Sequence, residues 1–486
     1  MSLHKEEFYE QQVWPGWISG VLASPHRAIF LHGIMGSELY DDVHHCTRWV
    51  DMNIWHEVDE LAFETLSPDG AIDVEGQLVY ARSTVSLPML GQFYAPYLGA
   101  IGSGRFNFDW RDAIGIESQR LGRFLELLLE RDPKLELRLV THSMGGCVLL
   151  RLLATTSAFD SRIRSVVFVA PPFWGALRPL RVIEDGNGTP VDIMISNAVL
   201  EQSAASMPGL FNLLVAPPDV WPLDPGLGIP KLAYPIRGGD LYVRCDWTNR
   251  ARWDLRQPLL DSTRNYYLAQ SAGAAQVVRR LGDRISVIVG VNGNTEYCAQ
   301  LTPEWDWVVH SAPPPGGDAL SNGDGSVLVQ SSVLPNLDPK RYWAYVPGAR
   351  SSSHASLPNL PEVQAAMRAL LQGEEPVAGG ALQPLPAIVP RIDWSSELQG
   401  AAAPEPFDHL DYVERARLRS LTPVSERDRR LDPDGADERL FHHTRTAAFK
   451  VLSGASDVER EASRIGKPPA FLRNHVQALV APLLFG

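Results

Sequence analysis

The chain has 486 residues, 45% of them apolar, and a formal net charge of −13. That length and apolar content suffice for a large core and more than one structural unit, while the acidity argues against a nucleic-acid partner and against simple electrostatic attachment to an anionic bilayer. The four cysteines (Cys46, Cys147, Cys245 and Cys298) contain no C-x-x-C pair and indicate neither a disulfide framework nor a zinc site.

The opening stretch MSLHKEEFYEQQ has neither a basic n-region nor an apolar h-region. No apolar run approaches the ~20 residues that cross a bilayer. A cytoplasmic protein is expected, with leaderless export left open. Residues 1–25, with Trp14-Pro15-Gly16-Trp17, read as a packed N-terminal arm. Residues 26–175 read as the first half of an α/β core, opening on an apolar strand at 28–31. The aromatic cluster at 93–97 reads as core. Gly102-Ser103-Gly104 is too short for a dinucleotide fingerprint. Asp109 and Arg111, in Phe108-Asp109-Trp110-Arg111, read as tying loops near the site by charge-assisted hydrogen bonds.

The next element carries the chemistry. An apolar strand at 137–140 runs through Thr141-His142-Ser143-Met144-Gly145-Gly146 into an apolar helix at 147–153. This is the layout of a nucleophile elbow, a strained turn that lifts a serine hydroxyl above the sheet. Gly145 and Gly146 let helix and strand approach. Thr141 stands where the usual G-x-S-x-G has its first glycine. Cys147 reads as a small buried apolar residue behind the serine.

Residues 176–280 exceed an ordinary connection and read as a cap over the site. Leu210, Phe211, Leu214 and Trp221 are candidates for its substrate lining, or simply for packing the cap onto the core. Residues 281–372 complete the core, with strands expected at 285–291 and 342–346, following the one expected at 165–170 in the first half. Residues 373–406, rich in Pro, Ala and Gly, read as a linker. Residues 407–486 read as a helical C-terminal appendage, through which a protein partner could dock. Adjacent His442 and His443 would point apart on a helix and do not suggest a metal site.

A serine nucleophile needs a base within hydrogen-bond reach, and the base needs an orienting carboxylate. In this fold the order is Ser, acid, His. Asp324 lies in a glycine-flanked loop after the 285–291 strand, and His354 in a small-residue loop after the 342–346 strand. Asp318 and Asp306 are rival acids and His310 a rival base. Asn322-Gly323-Asp324-Gly325 is also strong turn chemistry in its own right. Two backbone N–H groups should bind the oxyanion. Met144, directly after the serine, supplies one. Met35 supplies the other, with Ile34 second, from the loop His32-Gly33-Ile34-Met35-Gly36-Ser37. A ring N–H of His32 could order that loop. Neither a metal nor an organic cofactor is called for.

Together these segments resemble the lecithin:cholesterol acyltransferase family of α/β-hydrolases. The resemblance is carried by HGIMGSEL at 32–39, Trp49-Val50-Asp51-Met52, Phe108-Asp109-Trp110-Arg111, THSMGG at 141–146, APPFWG at 170–175, MPGLFNLL at 207–214, GDGSV at 323–327 and the late His354. It implies an α/β-hydrolase fold, a mostly parallel sheet flanked by helices, with a cap insertion. It implies a triad of Ser143, Asp324 and His354, with Met35 and Met144 at the oxyanion hole, and acyl-ester chemistry on lipids. The lid disulfide of secreted members is absent, since Cys46 has no partner cysteine before Cys147. The expected activity is a phospholipase A or lipase. An acyltransferase using an alcohol acceptor is the alternative, and an idle α/β-hydrolase module the alternative of another class.

Overall fold

The computed structural model describes residues 2–49, 101–186, 252–291, 295–302, 307–310, 323–346, 353–379, 381–388 and 457–464, with shorter pieces within 63–99, 201–249 and 469–473. Most of the appendage and of the linker therefore lies outside the described residues, as do Asp318, Asp306 and the histidine pair at 442–443.

Seven strands form the central sheet: β1 (Ala28–Leu31), β2 (Ser103–Phe106), β3 (Leu137–His142), β4 (Ile163–Val169), β5 (Ile285–Gly290), β6 (Tyr342–Tyr345) and β7 (Leu382–Pro384). Their order is β7-β6-β5-β4-β3-β1-β2. Every pairing is parallel except β6 with β7, which is antiparallel. The inner strands are continuous apolar runs because both faces of a parallel sheet are covered. Alternation divides the runs between two cores. Val167, Val169 and Ile288 face one side, with Val363, Met367 and Leu370 of a helix. Val166, Phe168 and Val287 face the other, with Leu125, Leu149 and Val277.

The longer helices among the described residues include α1 (Ser2–Phe8), α2 (Trp14–Ala23), α3 (Ile114–Arg131), α4 (Met144–Thr155), α5 (Arg178–Asp185), α6 (Trp253–Leu281) and α7 (Pro361–Gln372). This is the α/β-hydrolase arrangement that the sequence led us to expect. Two details differ. Leu382–Pro384, within the stretch read as linker, is an edge strand of the sheet. It carries two polar or imino residues in three, so its composition resembles a loop. The helix α6, which occupies the end of the stretch read as cap, packs on α4 and belongs to the layer flanking the sheet. Among the described residues no helix is long and apolar enough to cross a membrane.

The N-terminal arm is helical and is fastened by buried charge. Lys5 Nζ donates to Asp109 Oδ2 at 3.1 Å. Arg111 reaches the same carboxylate at 2.8 Å. Arg120 gathers Glu6, Asp112 and Glu117. Burial works against the charged form of Asp109, but Arg111 and Lys5 outweigh it and hold its pKa well below the usual carboxylate range. Glu117 goes the other way: burial pushes it up to about 8, against the opposing pull of Arg120. A group whose pKa rises on folding contributes stability that is full below its unfolded value of 4.5 and is lost as pH rises toward about 8. Denaturant unfolding of the wild type should therefore weaken between pH 6.5 and 8 by up to about 1.4 kcal/mol per pH unit relative to Glu117→Gln. Parallel curves for the two proteins would refute the shift.

Candidate active site

Strand β3 ends at His142, and α4 begins at Met144, so Ser143 occupies the junction alone. Its backbone is at φ 51° and ψ −125°, a region nearly closed to residues with a Cβ. The strain is held by the surroundings: the Ser143 N–H donates to Val169 O at 2.9 Å, at the end of the neighbouring strand. A Cβ at position 145 would stand 2.5 Å from the carbonyl oxygen of His32 and 2.6 Å from that of Leu31. Glycine is thus what lets α4 start against β1. Thr141 sits in ordinary strand pairing with Leu31 and Phe168, so this site dispenses with the first glycine of the usual motif.

Ser143 Oγ lies 2.8 Å from His354 Nε2, and His354 Nδ1 lies 2.6 Å from Asp324 Oδ2. Ser143 and Asp324 are buried, at 4% and 1% exposure, while the His354 side chain retains 15%. The other carboxylate oxygen of Asp324 accepts from Ser326 N–H at 3.0 Å and Val327 N–H at 2.9 Å. One oxygen thus holds the turn and the other faces His354. The rival His310 lies elsewhere, at the end of the strand Trp307–His310, in a separate three-stranded sheet.

The loop after β1 runs beside the serine. A Cβ at Gly33 would stand 2.9 Å from that of Ser143. Met35 holds φ 63°, and its carbonyl accepts from Trp49 Nε1 at 3.1 Å. Ile34 and Met35 are partly buried. Met144 is the first residue of α4, where backbone N–H groups lack intrahelical partners. His32 orders the loop from within. Its Nδ1–H donates to Gly33 O at 2.7 Å, its Nε2 accepts from Phe108 N–H at 3.2 Å, and its ring stacks on Phe108 at 4.1 Å. Burial lowers its pKa to about 4, so the ring is neutral at pH 7.

Leu210, Phe211, Leu214 and Trp221 are all buried in the main core. Their segment is bound to its surroundings through Gly209 N–H to Arg111 O, Asn212 Oδ1 to Ile114 N–H, and Tyr267 Oη to the carbonyls of Asn212 and Leu214. Asp109 and Arg111 pair with each other. Two polar groups escaped the sequence reading. His142 and Tyr94 are hydrogen-bonded at 2.7 Å beneath the serine. The cluster around Tyr94 reads simply as core, and His142 is masked by the serine beside it. Among the described residues no group of three or more His, Cys, Asp or Glu side chains could hold a metal.

Residues 104–221 match the model described as lecithin:cholesterol acyltransferase, a stretch from strand β2 through the elbow to Trp221. No curated protein matches the chain. A solved structure titled "The crystal structure of Tle4-Tli4 complex" matches with a TM-score of 0.48 at 16% identity, covering 76% of this chain and 99% of that one.

Proposed function

We propose that this chain, whose residues 104–221 match the model described as lecithin:cholesterol acyltransferase, is a serine hydrolase of lipid acyl esters, a phospholipase A or lipase. The observation that carries the reading is the unbroken hydrogen-bond chain from Ser143 through His354 to Asp324, with its serine on a strained turn. His354 takes the Ser143 proton as Oγ attacks the ester carbonyl. Asp324 holds the Nδ1–H tautomer and stabilises the imidazolium. The amides of Met144 and Met35, with Ile34 as second choice, bind the oxyanion, each donor contributing ~3–4 kcal/mol to the transition state. The alcohol leaves with the proton from His354, and water activated by the same ring releases the fatty acid. No cofactor enters these steps.

In this reading the loops within 176–252 act as a cap. Gly209 lies against Met144, where an added Cβ would meet Met144 Cε at 3.0 Å. That neighbourhood supports assigning Leu210, Phe211, Leu214 and Trp221 to the apolar wall behind the acyl chain. The substrate would be met at a membrane surface from the cytoplasm, and the 407–486 appendage would serve a protein partner. The family's description favours one further outcome, transfer of the acyl group to an alcohol.

Fatty-acid release from mixed phospholipid vesicles, with products resolved by mass, tests the proposal. Free fatty acid and lysolipid from wild type but not from Ser143→Ala support the hydrolase. Acyl product on an added alcohol assigns the transferase. Equal product from both proteins removes Ser143 from the chemistry.

A further inference from the structure

We infer that Tyr94 and His142 are positioning residues that clamp the oxyanion loop to the general base, an inference that rests on the triad reading above. The Gly33 N–H donates to Tyr94 Oη at 3.0 Å. Tyr94 Oη lies 2.7 Å from His142 Nδ1. His142 Nε2 lies 3.0 Å from the backbone carbonyl oxygen of His354. A carbonyl only accepts, so Nε2 carries the ring proton. Nδ1 is then bare and accepts from the Tyr94 hydroxyl, which in turn accepts from Gly33. Each link has one polarity.

The relay joins the loop bearing the oxyanion donors to the backbone of the base, passing beneath the nucleophile. Tyr94, His142 and Gly33 are buried, and the relay meets partly exposed structure only at His354. Burial lowers the His142 pKa well below its ordinary value, with a further push from His354, and raises that of Tyr94, so neither changes protonation state near neutrality. The His142 and His354 rings lie 4.8 Å apart. A neutral His142 therefore adds no like charge beside the imidazolium that forms during turnover. Gly33 is the contact point, since a Cβ there would meet His142 Nδ1 and Tyr94 Oη at 3.2 Å each. Breaking the relay frees the loop and the base to shift relative to each other. That costs transition-state geometry more than substrate affinity.

The test uses Tyr94→Phe, His142→Phe and His142→Gln in the full chain. Readouts are the labelling rate with a fluorophosphonate, kcat and KM on p-nitrophenyl butyrate, and thermal unfolding. Tyr94→Phe and His142→Phe should slow labelling and kcat by about 10–100-fold, with KM within about threefold. His142→Gln keeps an N–H for the His354 carbonyl and should recover most of the rate. Wild-type rates in Tyr94→Phe and His142→Phe overturn the proposal. So does a loss that falls equally on KM and stability, or failure of both variants to fold. Ser143→Ala separates the two readings. If wild type is not labelled, or Ser143→Ala is, the acyl-enzyme reading fails and takes the relay with it. If Ser143 alone is labelled and Tyr94→Phe labels normally, only the relay fails.

Discussion

Ser143→Ala should lower kcat on a soluble ester or a phospholipid by about 10⁶-fold while leaving the fold intact. The magnitude follows from how a triad works: nucleophile, base and acid act as a unit, so removing the attacking atom forfeits nearly all of their joint contribution. What remains is the oxyanion hole and substrate binding, worth roughly 10³–10⁴ over water. The fold should tolerate the change because the strain at φ 51° lies in the backbone and is held by Val169 O and by the close start of α4. Alanine leaves those contacts in place. Activity and thermal unfolding of the purified variant check the expectation together. Turnover within tenfold of wild type, with the fold retained, would mean that another group attacks the ester.

The parts of this molecule that were legible in the sequence share a physical cause. Buried parallel strands are continuous apolar runs, so 28–31, 137–140 and 285–291 stand out at once. A tight strand-to-helix turn needs small residues after it, and Gly145 and Gly146 mark it. That Ser143, Asp324 and His354 meet was legible because chain order limits where a carboxylate and an imidazole can fall after such a turn. The edges of the sheet are harder. Ser103–Phe106 and Leu382–Pro384 are short and flanked by breakers, and edge strands need less apolar surface. Helix α6 has a mixed surface, which hides that its inner face packs on α4. Least legible are contacts between distant residues. Tyr94 and His142 are 48 positions apart, and His142 and His354 are 212 apart. No local pattern encodes such a pair, because its partners are set only once the sheet has formed.

Asp324→Asn separates the two roles of this carboxylate. Oδ1 holds the turn through Ser326 and Val327, and Oδ2 faces His354 Nδ1. The turn offers two N–H donors, so the asparagine carbonyl oxygen must take the Oδ1 place. Its NH₂ group is thereby directed at His354. A donor facing Nδ1 forces the ring proton onto Nε2, which faces Ser143 Oγ. A base with its proton already on that nitrogen cannot accept another from the serine. The expected result is a fall in kcat of about 10⁴-fold, with little change in unfolding because the turn bonds survive. Asp324→Ala removes both roles and should lose stability as well, by about 1–3 kcal/mol for the buried donors left unpaired. The imidazole ¹⁵N shifts of His354 report the tautomer directly. A ring that keeps Nδ1–H in Asp324→Asn, or a kcat within tenfold of wild type, would show that the carboxylate does not set the tautomer. The comparison also distinguishes an orienting acid from a mere turn residue, because a turn residue would give asparagine and wild type the same rate.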